Sequence, residues 1–399
     1  MTDSVIWIWH QLLFGVGTRR SHAMLEYFPD PEDILRGIEA RGQVLSMLSE
    51  QELTGGQEAL RKAEEIKRRT LGKGCEIITP DHTFYPPLLQ NIYAKPAVLY
   101  VKGDLSCLRG ALAIAMVGTR NYTPYGQDAG HKIAQELATC GAVVVSGLAK
   151  GIDTICHTAA LEAGGKSIGI LGCGIDVDYP QGSAQLKRSL VESGAVVSEY
   201  PLGTEPLRAN FPMRNRLISG MCDGTLVVEA DMKSGSLLTA AHALQQSRKV
   251  FAIPGSILEL REQGTHKLIK EGAKLTESAL DIFGELTCRE YKGLHPERLS
   301  KPDAYKPGQN GKVQVEQSAA VTPDPSSGQP EPELPVRSSL PEEIYGPARE
   351  VYYALSPQPK TVETIAVECQ LGLAQIQSAL TQLEIYGLIK GYPGRRFGL

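Results

Sequence analysis

Residues 210–239 read NFPMRNRLISGMCDGTLVVEADMKSGSLLT, and the alternation within this stretch decides the fold. Asn210 to Met221 carries Leu217, Ile218 and Met221 at helical spacing, Leu226-Val227-Val228 is a continuous apolar run, and Ser234-Gly235-Ser236 turns into a second apolar helix pattern. A short apolar strand with no polar face must be covered on both sides, which is the position of a strand in a parallel α/β sheet. The same stretch has the makings of an anion site. Helix starts present unpaired N–H groups and a partial positive charge, and Arg214 and Arg216 add planar guanidinium forks that grip phosphate. Asn210 and Asn215 offer amide donors, and Phe211 offers a ring on which a base can stack. A single arginine of this kind more often lies on a solvated helix face. Three kinds of phosphate or base contact around one strand end favour a ligand.

Outward from this stretch the alternation continues from Glu76 to about Phe283. Strand-like runs fall at Val98 to Val101, Ala113 to Val117, Ala142 to Val145, Ser167 to Leu171, Val196 to Ser198, Leu226 to Val228 and Val250 to Ile253. Helical patterns such as Gly126 to Thr139, Thr154 to Ala163 and Leu237 to Ser247 separate them. This is an extended Rossmann-like, doubly wound α/β sheet, in which ligands sit at the carboxyl ends of the strands. Small residues occupy those ends: Gly118-Thr119-Arg120, Ser146-Gly147, Gly172-Cys173-Gly174 and Ser234-Gly235-Ser236. Glycine lets a backbone approach a ligand closely, and Arg120 and Lys150 bring positive charge to the rim. Arg120 and Arg214 are both expected to point toward solvent and phosphate.

Residues 1–75 read as a small helical domain, helix-hairpin-helix or SAM-like, with Gly15-Val16-Gly17 between two helices; the turn N–H groups of a helix-hairpin-helix can meet a DNA phosphate. Met1 to Gly74 holds eleven acidic and ten basic residues, so packing is at least as good a role for it. The Rossmann-like domain is expected over 76–288. Residues 289–339 lose all periodicity and include QSAAVTPDPSSGQPEPELP, the composition of a disordered linker. Residues 340–399 regain order. Helical patterns at Glu343 to Leu355, Val362 to Cys369 and Ala374 to Tyr386 precede a hairpin around Pro393-Gly394, as in a winged helix. Its third helix, LAQIQSALTQLEIY, has one Glu and no Lys or Arg, so protein interaction is favoured over duplex reading.

With 399 residues, two or three domains are expected, and a formal net charge of -4 confines any nucleic-acid surface to a local patch. The eight cysteines form no CxxC pair, which argues against zinc and a disulfide scaffold. The apolar run near the start follows Asp3, lacks a basic region and is too short to span a bilayer, so a reduced, cytoplasmic, soluble protein is expected. Gly165-Lys166-Ser167 precedes a strand where a P-loop would follow one, and Gly172 and Gly174 lack the third glycine of a dinucleotide fingerprint. Neither nucleotide hydrolysis by that route nor NAD or FAD is expected. His157 fits a satisfied structural histidine better than a catalyst, and Asp176 and Asp178, ahead of Tyr179-Pro180, fit a turn better than a metal site.

These residues together resemble the DNA-processing protein A (DprA/Smf) family of bacteria. The resemblance is carried by MVGTRNYTPYG (116–126), VSGLAKGIDTICHTAAL (145–161), LGCGIDVDYP (171–180), FPMRNRLISG (211–220), SGSLLTA (234–240) and VFAIPG (250–255), and the tail is similar to the family's winged helix. It implies a cofactor-free, non-enzymatic protein that binds and protects single-stranded DNA and helps load a RecA-type recombinase in natural transformation and recombination. It also implies a homodimer formed through the Rossmann-like domain. The DNA pocket it implies comprises Gly118, Thr119, Arg120, Ser146, Gly147, Phe211, Arg214, Asn215 and Arg216, to which the residues themselves add Lys150, Ser234, Gly235 and Ser236. The competing expectation is a Rossmann-like enzyme that releases the base from nucleoside monophosphates; such enzymes carry a PGGxGTxxE pattern, which this chain lacks.

Overall fold

A computed structural model describes residues 2–40, 46–286, 290–299, 344, 346–356, 358–369, 371–386, 388–392 and 396–398. The chain opens with four helices, α1 (Ser4–Phe14), α2 (Arg19–Tyr27), α3 (Pro31–Glu39) and α4 (Glu50–Gly72). Side chains that accept the first free N–H groups start each of them: Asp3, Thr18, Asp30 ahead of Pro31, and Ser49 in a capping box with Glu52. Two helices joined by Gly15-Val16-Gly17 are present, but the turn faces the protein. A Cβ on Gly17 would lie 2.5 Å from Arg216 Nη2, and nearby Gln11 donates to the Glu199 carbonyl at 2.9 Å. A turn packed this way is not a free grip for a DNA backbone.

The central domain alternates β1 (Glu76–Ile78), β2 (Leu99–Gly103), β3 (Ala113–Val117), α5 (Pro124–Thr139), β4 (Val143–Ser146), α6 (Ile152–Glu162), β5 (Ser167–Leu171), α7 (Ala184–Ser193), β6 (Ala195–Ser198), α8 (Asn210–Gly220), β7 (Gly224–Val227), α9 (Ser236–Gln245), β8 (Lys249–Ala252), α10 (Gln263–Lys270), β9 (Lys274–Leu275) and α11 (Ala279–Glu285). The strands form one sheet in the order β1-β2-β6-β5-β4-β3-β7-β8-β9. From β6 to β9 all neighbours are parallel, whereas β2 runs antiparallel to β6 and β1 antiparallel to β2. The sheet is therefore mixed at one edge; Val98 to Val101 carries no mark of strand direction, so its apolar run alone did not distinguish the two.

Alternate residues of one strand enter different cores. Ala115 and Val117 pack with Leu217, Ile218, Leu237 and Leu268 of α8, α9 and α10, while Ile114 and Met116 pack with Ile133, Leu137, Cys156 and Ile282 of α5, α6 and α11. A third core joins the N-terminal helices to the sheet edge, with Trp7, Trp9 and Met24 against Tyr100, Leu190 and Val196.

Residues 290–299, placed by composition in the linker, dock on the central domain. Lys292 N donates to Gly110 O and His295 N to Cys140 O, both at 2.8 Å, and Tyr291, Leu294 and Leu299 pack on the α5 side. The pattern was too short to register as an element because backbone pairing and three apolar contacts hold it. The rest of the expected linker, 300–339, lies outside the described residues. The tail consists of α12 (Pro347–Ala354), β10 (Lys360–Thr361), α13 (Val362–Cys369), α14 (Leu373–Ile385), β11 (Lys390–Tyr392) and β12 (Arg396–Gly398), with its own core from Ile344 to Ile389 and the strand order β10-β12-β11. Pro393-Gly394, expected at the tip of the hairpin, lies outside the described residues.

The third tail helix, α14, is spent within the molecule. Ser378 Oγ donates to Ala241 O on α9 at 2.7 Å, Gln245 Nε2 donates to Gln382 Oε1 at 3.1 Å, and Lys267 on α10 pairs with Glu384. Ser378, Thr381 and Gln382 are buried by this contact. The polar, uncharged face that made duplex reading a poor expectation is the face that docks.

Candidate nucleic-acid interface

The direction of winding reverses between β3 and β7, and the loops after these two strands part to leave a crevice. Gly118-Thr119-Arg120 follows β3; Asp231 to Ser234 follows β7 and leads into α9. The first loop is fixed at several points: Thr119 N donates to Glu229 O at 2.8 Å, and Ile152 N to Thr119 O at 3.2 Å. Gly151 is held at φ +91°, and a Cβ there would lie 2.5 Å from Thr119 O, so the tight entry to α6 requires glycine. Three helices, α6, α8 and α9, begin around this crevice, and the cap residues Gly151, Ala209 and Gly235 make no side-chain capping bond. Most of their leading N–H groups are taken within the protein, Ile152 N by Thr119 O, Asn210 N by Leu207 O, Phe211 N by Arg208 O, Ser236 N by Ser234 Oγ and Leu237 N by Ser234 O, so what these helix starts offer an anion is chiefly the positive end of their dipoles.

The crevice has two lobes that share Arg120, Ala149, Phe211 and Arg214. The smaller, about 300 Å³, adds Gly118, Thr119, Asn215, Ser234, Gly235 and Ser236. The larger, about 530 Å³, runs over the ends of β4 and β5 and adds Gly147, Lys150, Gly172, Asp178, Tyr179 and Pro206. Arg120 and Lys150 are exposed and have no ion-pair partner among the described residues. The Phe211 ring faces Tyr179 at 5.3 Å between centroids, tilted by 39°, and lies 3.1 Å from where a Cβ on Gly172 would stand. Any side chain at 172 would displace the ring.

The two arginines of FPMRNR behave differently from each other and from the expectation. Arg214 is 5% exposed and forms the floor shared by the lobes. Its Nη1 donates to Gly147 O at 2.7 Å and also to Ile170 O, and its Nε donates to Asn215 Oδ1 at 3.2 Å. Beneath it, the buried Asp153 carboxylate accepts from Gly147 N at 3.1 Å and Ala149 N at 3.3 Å. Burial pushes the Asp153 carboxyl up from its ordinary range, against the pull of Arg214 and the two N–H groups. Arg214 therefore supplies charge from below and holds two loops, where the sequence suggested a side chain reaching into solvent. Arg216 is fully buried on the inner side of α8, its Nη2 donating to both Glu199 carboxylate oxygens at 2.7 and 2.9 Å, and lines neither lobe. Its neighbour's helical spacing turns it by about 200° from Arg214, away from the crevice. Ser146 is also outside both lobes, with its hydroxyl donating to Met116 O at 2.6 Å.

The other eleven expected residues line one lobe or both. Two lining residues carry no site signal in the sequence: Tyr179, part of a turn there, and Asp153. Their signal was proximity in space: Asp153 is drawn to Arg214 only once α6 and α8 face each other across the strand ends. His157 is buried, bonds Ser167 Oγ at 2.8 Å and lies outside both lobes; burial lowers its pKa to about 3. Asp176 accepts from Gly203 N at 2.8 Å. Among the described residues no group of three or more acidic, His or Cys side chains could hold a metal, and no helix is long and apolar enough to cross a membrane.

Residues 76–287 match the model of the family described as DNA recombination-mediator protein A, and residues 335–395 match the DprA winged helix domain. The DNA processing protein DprA of Bacillus subtilis (strain 168) is 44% identical over 224 residues, covering 56% of this chain and 75% of that one. Protein Smf of Escherichia coli (strain K12) is 38% identical over 319 residues, covering 80% and 76%. The X-ray structure of DNA processing protein A from Streptococcus pneumoniae superposes with a TM-score of 0.62 at 34% identity, covering 72% of this chain and 99% of that one.

Proposed function

The chain belongs to the DNA recombination-mediator protein A (DprA/Smf) family, and from that premise we propose that it binds single-stranded DNA in the two-lobed crevice and acts in DNA processing during transformation and recombination. The observation that carries this reading is the pairing of unpartnered cations with an aromatic wall. Arg120 and Lys150, backed by the positive ends of three helix dipoles, suit phosphates, and Tyr179 and Phe211 suit an unstacked base. A duplex hides its bases in the stack, so a crevice of this shape favours single strands. Backbone and stacking contacts carry little sequence information, and binding is accordingly tolerant of sequence.

Protection of incoming strands, delivery to a RecA-type recombinase and a homodimer built on the Rossmann-like domain complete the proposal, as the family resemblance implies. The role is binding and not catalysis. The test is a titration of labelled single-stranded and duplex oligonucleotides with the full chain at two salt concentrations, alongside a base-release assay on nucleoside monophosphates. Tighter single-strand binding with a steep salt dependence is expected. Binding indifferent to salt, a clear preference for duplex, or released base would each overturn the reading.

A further inference from the structure

One wall of the larger lobe is built from Asp178, Tyr179 and Pro206, and just beyond it lies the end of α4. Arg69 Nη2 comes within 3.8 Å of the Cβ position of Gly203, in the same loop as Pro206, and the Gly203 N–H is held by Asp176. Lys187 Nζ supports the wall from behind, donating to Val177 O at 2.8 Å. Farther out, Lys73 caps α4, and Lys102 stands on β2 beside Val101, which pairs with Glu76 three residues after Lys73. Arg69, Lys73 and Lys102 are exposed, and none makes an ion pair among the described residues. Arg69 and Lys73 complement the α4 dipole where they are. Lys102 stands on β2, which lies between β1 and β6, level with Val196 of β6.

We propose that Arg69, Lys73 and Lys102 form a phosphate track for a single strand leaving the crevice over Tyr179, so that the N-terminal helical domain takes part in DNA binding. This rests on the crevice being the single-strand site. Asp178 lines the lobe, Asp176 holds Gly203 N, and Glu76 stands opposite Val101 beside Lys102, and these carboxylates keep the track weak by itself. A strand already anchored in the crevice meets the track at high effective concentration, where weak contacts add to affinity.

The test compares wild type with R69E/K73E/K102E in the full chain, using oligothymidylates of about 5 and about 25 nucleotides, within and beyond the span of one such site. The short oligonucleotide is expected to bind both proteins equally. The long one is expected to bind the variant at least tenfold more weakly at low salt, with the log–log salt slope smaller by about 2, the value for three phosphates on a single strand. Unchanged long-strand affinity and slope overturn the track. So does equal loss on both lengths with an unchanged melting curve, because the track would then not be separate from the crevice. Should the charge reversals lower the melting point, R69A/K73A/K102A is held to the same criteria. Wild-type protein that binds neither length sinks the crevice reading itself, whereas failure of the track alone leaves short-strand binding in place.

Discussion

Replacing Arg214 with alanine should damage the fold before it damages recognition. The guanidinium lies in a buried site between two carbonyl oxygens and above Asp153, so its removal strands a carboxylate without its counter-charge and leaves Gly147 O and Ile170 O without their donor. Leaving two buried carbonyl oxygens without their donor costs roughly 1–3 kcal/mol each, and taking the nearby charge from a buried carboxylate brings the total to roughly 3–5 kcal/mol. For a domain of this size each kcal/mol lowers the melting temperature by about 2–4 °C, giving a fall of roughly 6–20 °C. The pH dependence follows from Asp153, whose folded pKa already stands above its ordinary 3.8 because of burial. In the window above 3.8 the folded chain keeps a proton that the unfolded chain has lost, so this group favours the folded state at low pH and ceases to do so as pH rises through its folded pKa. Without Arg214 that folded pKa rises further. The deficit of Arg214→Ala should thus be largest near pH 8 and shrink toward pH 5, and Asp153→Asn in the same background should recover part of it. Circular-dichroism melts across that range decide the matter. A variant melting within about 2 °C of wild type at pH 8, or a deficit that grows on acidification, would refute the reasoning.

Arg120→Ala removes an exposed, unpaired guanidinium, so melting should be unchanged while single-strand affinity falls about 10- to 100-fold, as a lost charge-assisted contact of roughly 1.5–3 kcal/mol requires; fluorescence anisotropy measures both arms. His10 and His157 are held near pKa 3 and His242 near 4 by burial, so the unfolded chain takes up protons below about 6.5 that the folded chain refuses. Stability should drop as pH falls from 6.5 toward 4, and urea midpoints that stay level over that interval would contradict it. Lys267→Glu should release the tail from α10 and give it a separate, lower unfolding transition, and adding Glu384→Lys should restore a single one by calorimetry. Truncation before Leu340 should leave the Rossmann-like domain folded.

The parallel sheet was legible because each strand is a continuous apolar run punctuated by small residues, and Ala113–Val117 and Ser167–Leu171 were placed to the residue. The rim residues were legible for a related reason: Gly118, Gly147 and Gly172, each the first residue after β3, β4 or β5, stand where the chain leaves the sheet at the crevice. What escaped was direction. Arg214 and Arg216 are two residues apart and equally charged, yet one forms the floor of the site and the other is sealed with Glu199 behind it. A pattern of residue types does not say which way a helix is rotated; that is fixed by Leu217, Ile218 and Met221 packing on the sheet. The docking of α14 was invisible for the same reason, since Ser378 and Gln382 read as ordinary polar surface until α9 is set against them.

Helix α9 begins in the crevice, at Ser236, and its last turns are held by the tail through Ala241 and Gln245. Its ten residues make a rod about 15 Å long, too short to bend appreciably between the two attachments. An occupant of one end and the grip on the other are therefore fastened to one rigid body. If tail docking shifts strand affinity by any factor, a bound strand must shift the docking equilibrium by the same factor. A partner that pulled the tail away would then loosen or tighten the protein's hold on DNA without touching the crevice, and the sign of that effect could be read from either end.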